Sequence, residues 1–182
     1  MRKSDFALAA MLRPAMTDRW YDAIEQSMME FGIISPRRAA MYIATLGHES
    51  HGFVHTRELW GPTHAQRRYE GRAGLGNMSP GDGFRYLGRG LIQITGRANY
   101  QALSKGLAVD YIHHPEWLER PEDAARGSGW WWQNNGCNEI ADTGDFLRLS
   151  IRVNGRNTRG LPNGWDDRKR RYAVAWSVLV GV

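Results

Sequence analysis

The sequence predicts a mainly α-helical protein of one domain, a large helical lobe interrupted by a smaller loop-rich lobe at about residues 52–90. Three observations lead there. Apolar residues recur at helical spacing early and late in the chain. Glycine, proline, arginine and asparagine dominate from Gly52 to Gly90, where periodicity fades. The 182 residues, 42% hydrophobic, are enough for one proper core but do not call for a second domain.

The elements follow in order. MRKSDFALAAMLRPAMTDRW starts basic and turns apolar, but Arg13, Pro14 and Asp18 break the run, so it reads as mature sequence and not as an export signal. No run approaches the roughly 18 apolar residues of a membrane span, and no stable membrane association is expected. In TDRWYDAIEQSMMEFGI, Trp20, Ile24, Met28 and Phe31 share a helical face, with Thr17 or Asp18 as cap and Gly32 as stop. SPRRAAMYIATLGHES opens on Ser35 as N-cap and Pro36 in the first turn, and its buried stripe is Ala39, Tyr42, Ile43 and Leu46. PEDAARGSGWWWQNNGC begins a helix at a proline followed by acids, with Trp130 to Trp132 read as core packing before sugar stacking. WDDRKRRYAVAWSVLV closes the chain as a helix with basic residues outside and Ala173, Trp176 and Val180 inside.

A net charge of +5 implies attraction to polyanions: nucleic acid, anionic lipid or the acidic polymers of a cell wall. Nucleic-acid binding would call for a basic stripe interleaved with exposed aromatics. Only the short cluster Arg168 to Arg171 is present, and no nucleic-acid partner is expected. The single cysteine, Cys137, excludes an internal disulfide and a multi-cysteine metal cage, and reads as a core residue.

The stretch GHESHGF holds the most informative residue, Glu49. It falls in line with Tyr42 and Leu46 at the end of a helix. Partial burial and the negative end of the helix dipole are expected to favour its protonated form, which a general acid needs. Zinc binding by His48, His51 and His55 is disfavoured, because H-E-x-x-H requires a histidine where Gly52 stands. A glutamate capping a loop or pairing with an arginine is the structural alternative. Glycosidic hydrolysis needs a second carboxylate, for which Glu58 and Glu70 are the candidates. The glycines of GDGFRYLGRGLIQITGRANY let the backbone turn tightly near a ligand, but match neither a Walker loop nor a dinucleotide fingerprint.

GHESHGF, RYEGRAGLGN, PGDGFRYLGRGLIQITGRANY and VNGR before DDRKRRYA together resemble glycoside hydrolase family 19, in particular its chitinase-like phage endolysins, over about residues 38–176. The resemblance implies a lysozyme-like α+β fold with a cleft between two lobes, and an inverting mechanism with Glu49 as general acid. It implies Glu58, favoured over Glu70, as base or water-positioning group, although the usual E-N-x-N-Y-S string around it is missing, and Thr95 as a residue holding the water. Glu70, Gln93, Asn99, Tyr100 and Asn154 are the implied substrate-binding residues, with Arg168 supporting the cleft electrostatically. No metal or organic cofactor is required.

The expected substrate is the peptidoglycan glycan, cut between N-acetylmuramic acid and N-acetylglucosamine for host lysis. Chitin hydrolysis is the alternative within the family, and a non-catalytic wall-binding protein the alternative outside it. A monomer is expected, held in the host cytoplasm until a holin releases it to the wall.

Overall fold

The structure, a computed structural model, describes residues 1–181. Among the described residues ten helices run in chain order: α1 (Lys3–Ala9), α2 (Pro14–Glu30), α3 (Pro36–Glu49), α4 (His64–Arg67), α5 (Asp82–Arg85), α6 (Arg97–Leu107), α7 (Pro121–Asn134), α8 (Cys137–Thr143), α9 (Phe146–Asn154) and α10 (Trp165–Leu179), with 3-10 turns at Ala73–Leu75 and Pro115–Glu119. Among the described residues the β structure is two isolated bridges, Arg57 with Arg89 and Arg89 with Ile94.

The chemistry of α3 makes it central. Ser35 caps it by accepting from the Arg38 N–H at 3.2 Å, as expected, and Pro36 occupies the first turn, where its missing N–H costs nothing. Every residue from Ala39 to Gly47 is buried, more than one stripe, because α1, α8 and α10 all pack against this helix. Three small alanines and one glycine in that run let the neighbours approach closely on all sides. Helix α2 starts earlier than Thr17: Pro14 opens it, and Thr17 donates to the Arg13 carbonyl at 3.1 Å. Trp20, Ile24 and Met28 face the core.

On α7, Trp132 is fully buried, edge-on to Tyr42 at 5.1 Å, and donates to Asn138 Oδ1 at 2.9 Å. Trp130 and Trp131 are half-buried against the same core, so the tryptophan run packs the interior. Cys137 is buried too, and burial pushes its thiol up to about 12.

Helix α10 corrects the expected facing. Ala173 is exposed and Val180 is 39% exposed, whereas Arg168 and Ala175 are buried. At about 100° per residue, positions 168, 172, 175 and 179 share one stripe, so a guanidinium takes an inward place that an apolar count assigns to alanine.

No residue between Phe53 and Tyr86 belongs to the hydrophobic core. Buried polar side chains hold this loop-rich lobe instead. Asn77 donates to the Tyr69 carbonyl at 2.9 Å and accepts from the Arg97 N–H at 2.9 Å, and Asp82 takes two hydrogen bonds from Arg97, at 2.6 and 2.8 Å. The run Leu91–Thr95, which alternates like a strand, is a tight turn. Gly90 and Gln93 both have positive φ, and Arg89 and Ile94 exchange backbone hydrogen bonds across them at 3.0 and 2.8 Å.

Candidate active site

Glu49 ends α3, with its side chain 15% exposed. Its Oε1 accepts from Arg168 Nη2 at 2.5 Å. The sequence predicts a partly buried carboxyl at the end of a helix, with pairing to an arginine as the structural alternative. The structure gives an ion pair, because the stripe of α10 carries Arg168 inward against the end of α3. Arg168 is itself held: Nε donates to the Asn163 carbonyl at 2.9 Å, and Asn154 Oδ1 accepts from the Asn163 N–H at 2.9 Å. Asn154, Arg168 and Glu49, picked separately from the sequence, therefore form one relay running from the end of α9 through the loop before α10. Arg168 Nη1 is buried without a hydrogen-bond partner among the described residues, leaving one donor available beside Glu49.

One residue back along both helices lies a second cross-link. His48 Nδ1 lies 2.8 Å from Asp167 Oδ2. Asp167 also accepts from Arg170 at 2.7 Å and Arg171 at 2.8 Å. Partial burial works against ionisation of Asp167, but the hydrogen bonds from Arg170, His48 and Arg171 outweigh it and hold the carboxyl well below the usual range. The His48 ring lies flush on Gly164, where a Cβ would stand 2.3 Å from its Cε1. His51 and His55 meet edge-on at 5.6 Å, and His51 lines a shallow pocket with His48, Asp167 and Arg171.

Glu58 lies in the loop-rich lobe, half-buried. Its Oε1 accepts from Gln66 Nε2 at 2.9 Å and from the Tyr69 hydroxyl at 3.3 Å; its Oε2 accepts from the Gly88 N–H at 3.1 Å. Gln66 is fixed in turn by a reciprocal cap with Thr63 at the start of α4. Burial, followed by the negative charge of Glu58, pushes the Tyr69 phenol up, so it remains a donor.

Gly88 marks where the polar groups converge. A Cβ placed there would lie 3.3 Å from Glu58 Oε2, 3.2 Å from Thr95 Oγ1 and 2.8 Å from Gln93 Oε1. The missing side chain lets three side-chain oxygens close in on the Gly88 backbone. Gln93 is pinned by its Nε2 donating to the Gly90 carbonyl at 3.0 Å, and Thr95 donates to the Gln93 carbonyl at 2.9 Å. A water there would meet a carboxylate acceptor, a hydroxyl and an amide oxygen.

The remaining residues lie elsewhere. Glu70 accepts from the N–H groups of Gly81 at 2.6 Å and Gly83 at 2.8 Å, so both its oxygens fasten the loop leading into α5. Asn99 is exposed and donates to the Thr95 carbonyl at 2.7 Å, bracing the turn that carries Thr95. Tyr100 is fully buried: its hydroxyl donates to the Leu87 carbonyl at 2.7 Å and accepts from Arg89 at 3.1 Å, and burial pushes the phenol up to about 12. A sugar in the groove does not reach it, and its place is behind the Gly88 turn. Sequence reasoning missed Gln66, Gly88, His48–Asp167 and the orienting role of Asn163. Only Thr63 and Gln66, spaced three apart as a capping box, left a readable signal.

Comparison with known proteins bears directly on this arrangement. No family model matches the chain. Over 186 residues it is 32% identical to a glycosyl hydrolase family 19 domain-containing protein of Haemophilus influenzae, covering 84% of this chain and 85% of that protein. It is 30% identical over 129 residues to an endochitinase of Arabidopsis thaliana, of which it spans 43%. Chitinase C from Streptomyces griseus superposes with a TM-score of 0.78 at 20% identity, covering 98% of this chain and 76% of that one. A bacterial family 19 chitinase gives 0.75 at 20% identity, with 98% and 94% covered. These structural likenesses establish the fold, and the Haemophilus relative supplies identity over nearly the whole length. The chain belongs to glycoside hydrolase family 19 and is a glycoside hydrolase of the chitinase-like, mainly helical kind.

Proposed function

We propose that the protein is an endolysin that hydrolyses the β-1,4 bond between N-acetylmuramic acid and N-acetylglucosamine in peptidoglycan, with inversion at the anomeric carbon. The observation that carries the mechanism is the convergence of Glu58, Gln93 and Thr95 on the space over Gly88, with a separate carboxylate, Glu49, at the end of α3. Glu49, which takes up a proton from solvent on the oxygen that Arg168 does not hold before each turnover, gives that proton to the leaving glycosidic oxygen. Glu58 takes a proton from the water over Gly88 as that water attacks the opposite face of the sugar, and Thr95 and Gln93 orient it. Arg168 steadies the charge left on Glu49 after transfer. Asn99, Asn154 and Glu70 contribute by bracing the loops that line the groove.

The net charge of +5 supports the choice of peptidoglycan, whose acidic polymers attract a cation. So does the bacterial source of the relative matched over nearly its full length. Chitin is the second reading, favoured by the names of the plant relatives and of the structural neighbours. The proposal includes action as a monomer, without cofactor, nucleic acid or stable membrane contact, and release from the host cytoplasm by a holin.

The test is turbidity loss of outer-membrane-permeabilised Gram-negative cells, with chitin oligomers assayed in parallel. Wild type lyses the cells, and Glu49→Gln and Glu58→Gln each lose about a thousandfold, within the range of a removed acid or base. Glu70→Gln keeps most of the activity. Proton NMR of the first product detects inversion. Normal lysis by Glu49→Gln removes the acid assignment, and activity on chitin alone replaces peptidoglycan by chitin. Co-expression with and without a holin tests the release step.

A further inference from the structure

A cavity of about 690 Å³ opens on the loop-rich lobe, beside the groove that holds Glu58. Phe84 separates the two. It lines the cavity, is 49% exposed, and packs edge-on at 5.3 Å against Trp60, which lines the groove with Arg57 and Glu58. The Arg57 guanidinium stands 5.9 Å over the same ring.

Three guanidiniums, Arg85, Arg89 and Arg97, and two carboxylates, Asp82 and Glu116, line the cavity, with Glu119 behind Arg89. Arg97 is matched by Asp82 at 2.6 Å and Arg89 by Glu119 at 2.7 Å. Arg85 differs. Its Nη2 donates to the carbonyls of Ile112 at 3.1 Å and His113 at 3.2 Å, which fix the guanidinium without neutralising it, and among the described residues no carboxylate pairs with it. Phe84, Ile112 and Pro115 supply apolar surface around the charge. An oriented cation without a counter-ion, framed by apolar walls, suits a carboxylate on a short chain with small apolar side chains. A neutral polymer of N-acetylglucosamine offers no such group. Peptidoglycan does, on the peptides that branch from alternate sugars.

We propose that this cavity is a second binding site, taking the carboxylate-bearing peptide branch of a peptidoglycan strand while the sugars occupy the groove at Glu58. The inference rests on the peptidoglycan reading and makes Arg85 the residue that distinguishes peptide-bearing glycan from bare glycan.

The experiment compares purified Gram-negative sacculi with the same sacculi stripped of peptides by an amidase, using wild type, Arg85→Glu and Arg85→Lys. Arg85→Glu raises KM on intact sacculi about fivefold, the scale of an exposed ion pair made and then reversed. On stripped strands its KM changes less than about twofold, and Arg85→Lys restores most of the preference. Equal losses on both substrates, or none on intact sacculi, overturn the proposal. A second readout does not depend on turnover. The free tetrapeptide L-Ala-D-Glu-diaminopimelate-D-Ala, titrated into wild type, shifts the NMR signals of Arg85 Nε and the Phe84 ring, and the absence of such shifts also overturns it. If wild type cleaves only chitin while the tetrapeptide still binds at Arg85, the peptidoglycan reading fails and the peptide site stands.

Discussion

His48 and Asp167 tie α3 to α10 at 2.8 Å, one residue before Glu49 and Arg168 tie the same two helices at 2.5 Å. Two adjacent residues on each helix thus make two adjacent cross-links, and the outer one fixes the register in which the inner one forms. Replacing His48 by Ala leaves Glu49 in place chemically but lets its helix end shift. The expected result is a kcat lower by about tenfold, since small misplacements of a reacting group are costly, with KM nearly unchanged. Steady-state kinetics on a soluble glycan oligomer measure the split, and a change confined to KM contradicts it.

The depressed Asp167 carboxyl gives this link a pH signature. A group whose folded pKa is lowered contributes stability above its unfolded pKa and loses it as pH falls through the folded value. Asp167→Asn is therefore less stable than wild type at neutral pH, and the gap closes below about pH 4, where the unfolded carboxyl takes up its proton. Urea melts at pH 7, 5 and 3 test this, and a gap that widens in acid refutes it.

Arg168 is fully buried, so removing it strands the Glu49 charge. Arg168→Met costs about 3–5 kcal/mol, the usual penalty for breaking a buried pair. The double variant with Glu49→Gln recovers a large part of that loss, because neither charge remains. A double-mutant cycle by chemical denaturation reads the coupling, and additive losses would mean the pair is not coupled.

Gly88→Ala is expected to separate activity from folding. The backbone there is not in the left-handed region, so alanine adds no backbone strain, but its methyl would stand 2.8 Å from Gln93 Oε1, 3.2 Å from Thr95 Oγ1 and 3.3 Å from Glu58 Oε2, and would push those side chains aside. Activity falls by about a hundredfold or more as water is displaced. Tm changes by only a few degrees, roughly the effect of a cost near 1 kcal/mol. Calorimetry alongside kinetics checks both, and an active variant would mean that the water sits elsewhere.

Gln66 tests how Glu58 is oriented. Gln66→Leu removes the 2.9 Å hydrogen bond to Oε1 together with half of the cap on α4. An activity loss of about tenfold is expected, against less than about threefold for Tyr69→Phe, whose bond is longer at 3.3 Å. The reverse order would assign the orienting role to Tyr69.

The helical half of this molecule was legible because its signals are local and periodic. Ser35 with Pro36 announces the start of α3, and the spacing of Trp20, Ile24 and Met28 announces α2. Glu49 could be singled out because a carboxylate in line with a buried stripe violates the pattern around it. The ion pair could not be found this way, since Arg168 lies 119 residues away in a run that reads as a solvated basic face. The turn at Leu91–Thr95 was hard to see for a related reason. Alternation describes which side chains are apolar, whereas the positive φ at Gly90 and Gln93 determines that the backbone turns. Tyr100 matched a motif by position, yet a motif says nothing of which way a side chain points.

The absence of core residues between Phe53 and Tyr86 gives the two carboxylates mechanically unequal supports. Glu49 rides on a rod packed on every side, whereas Glu58 hangs in a mesh of polar side chains with no oily centre beneath it. Mild denaturant should slacken the mesh well before it melts the rod. The protein would then pass through a window in which its helices are still folded and Glu49 is still held, while Glu58 is no longer oriented.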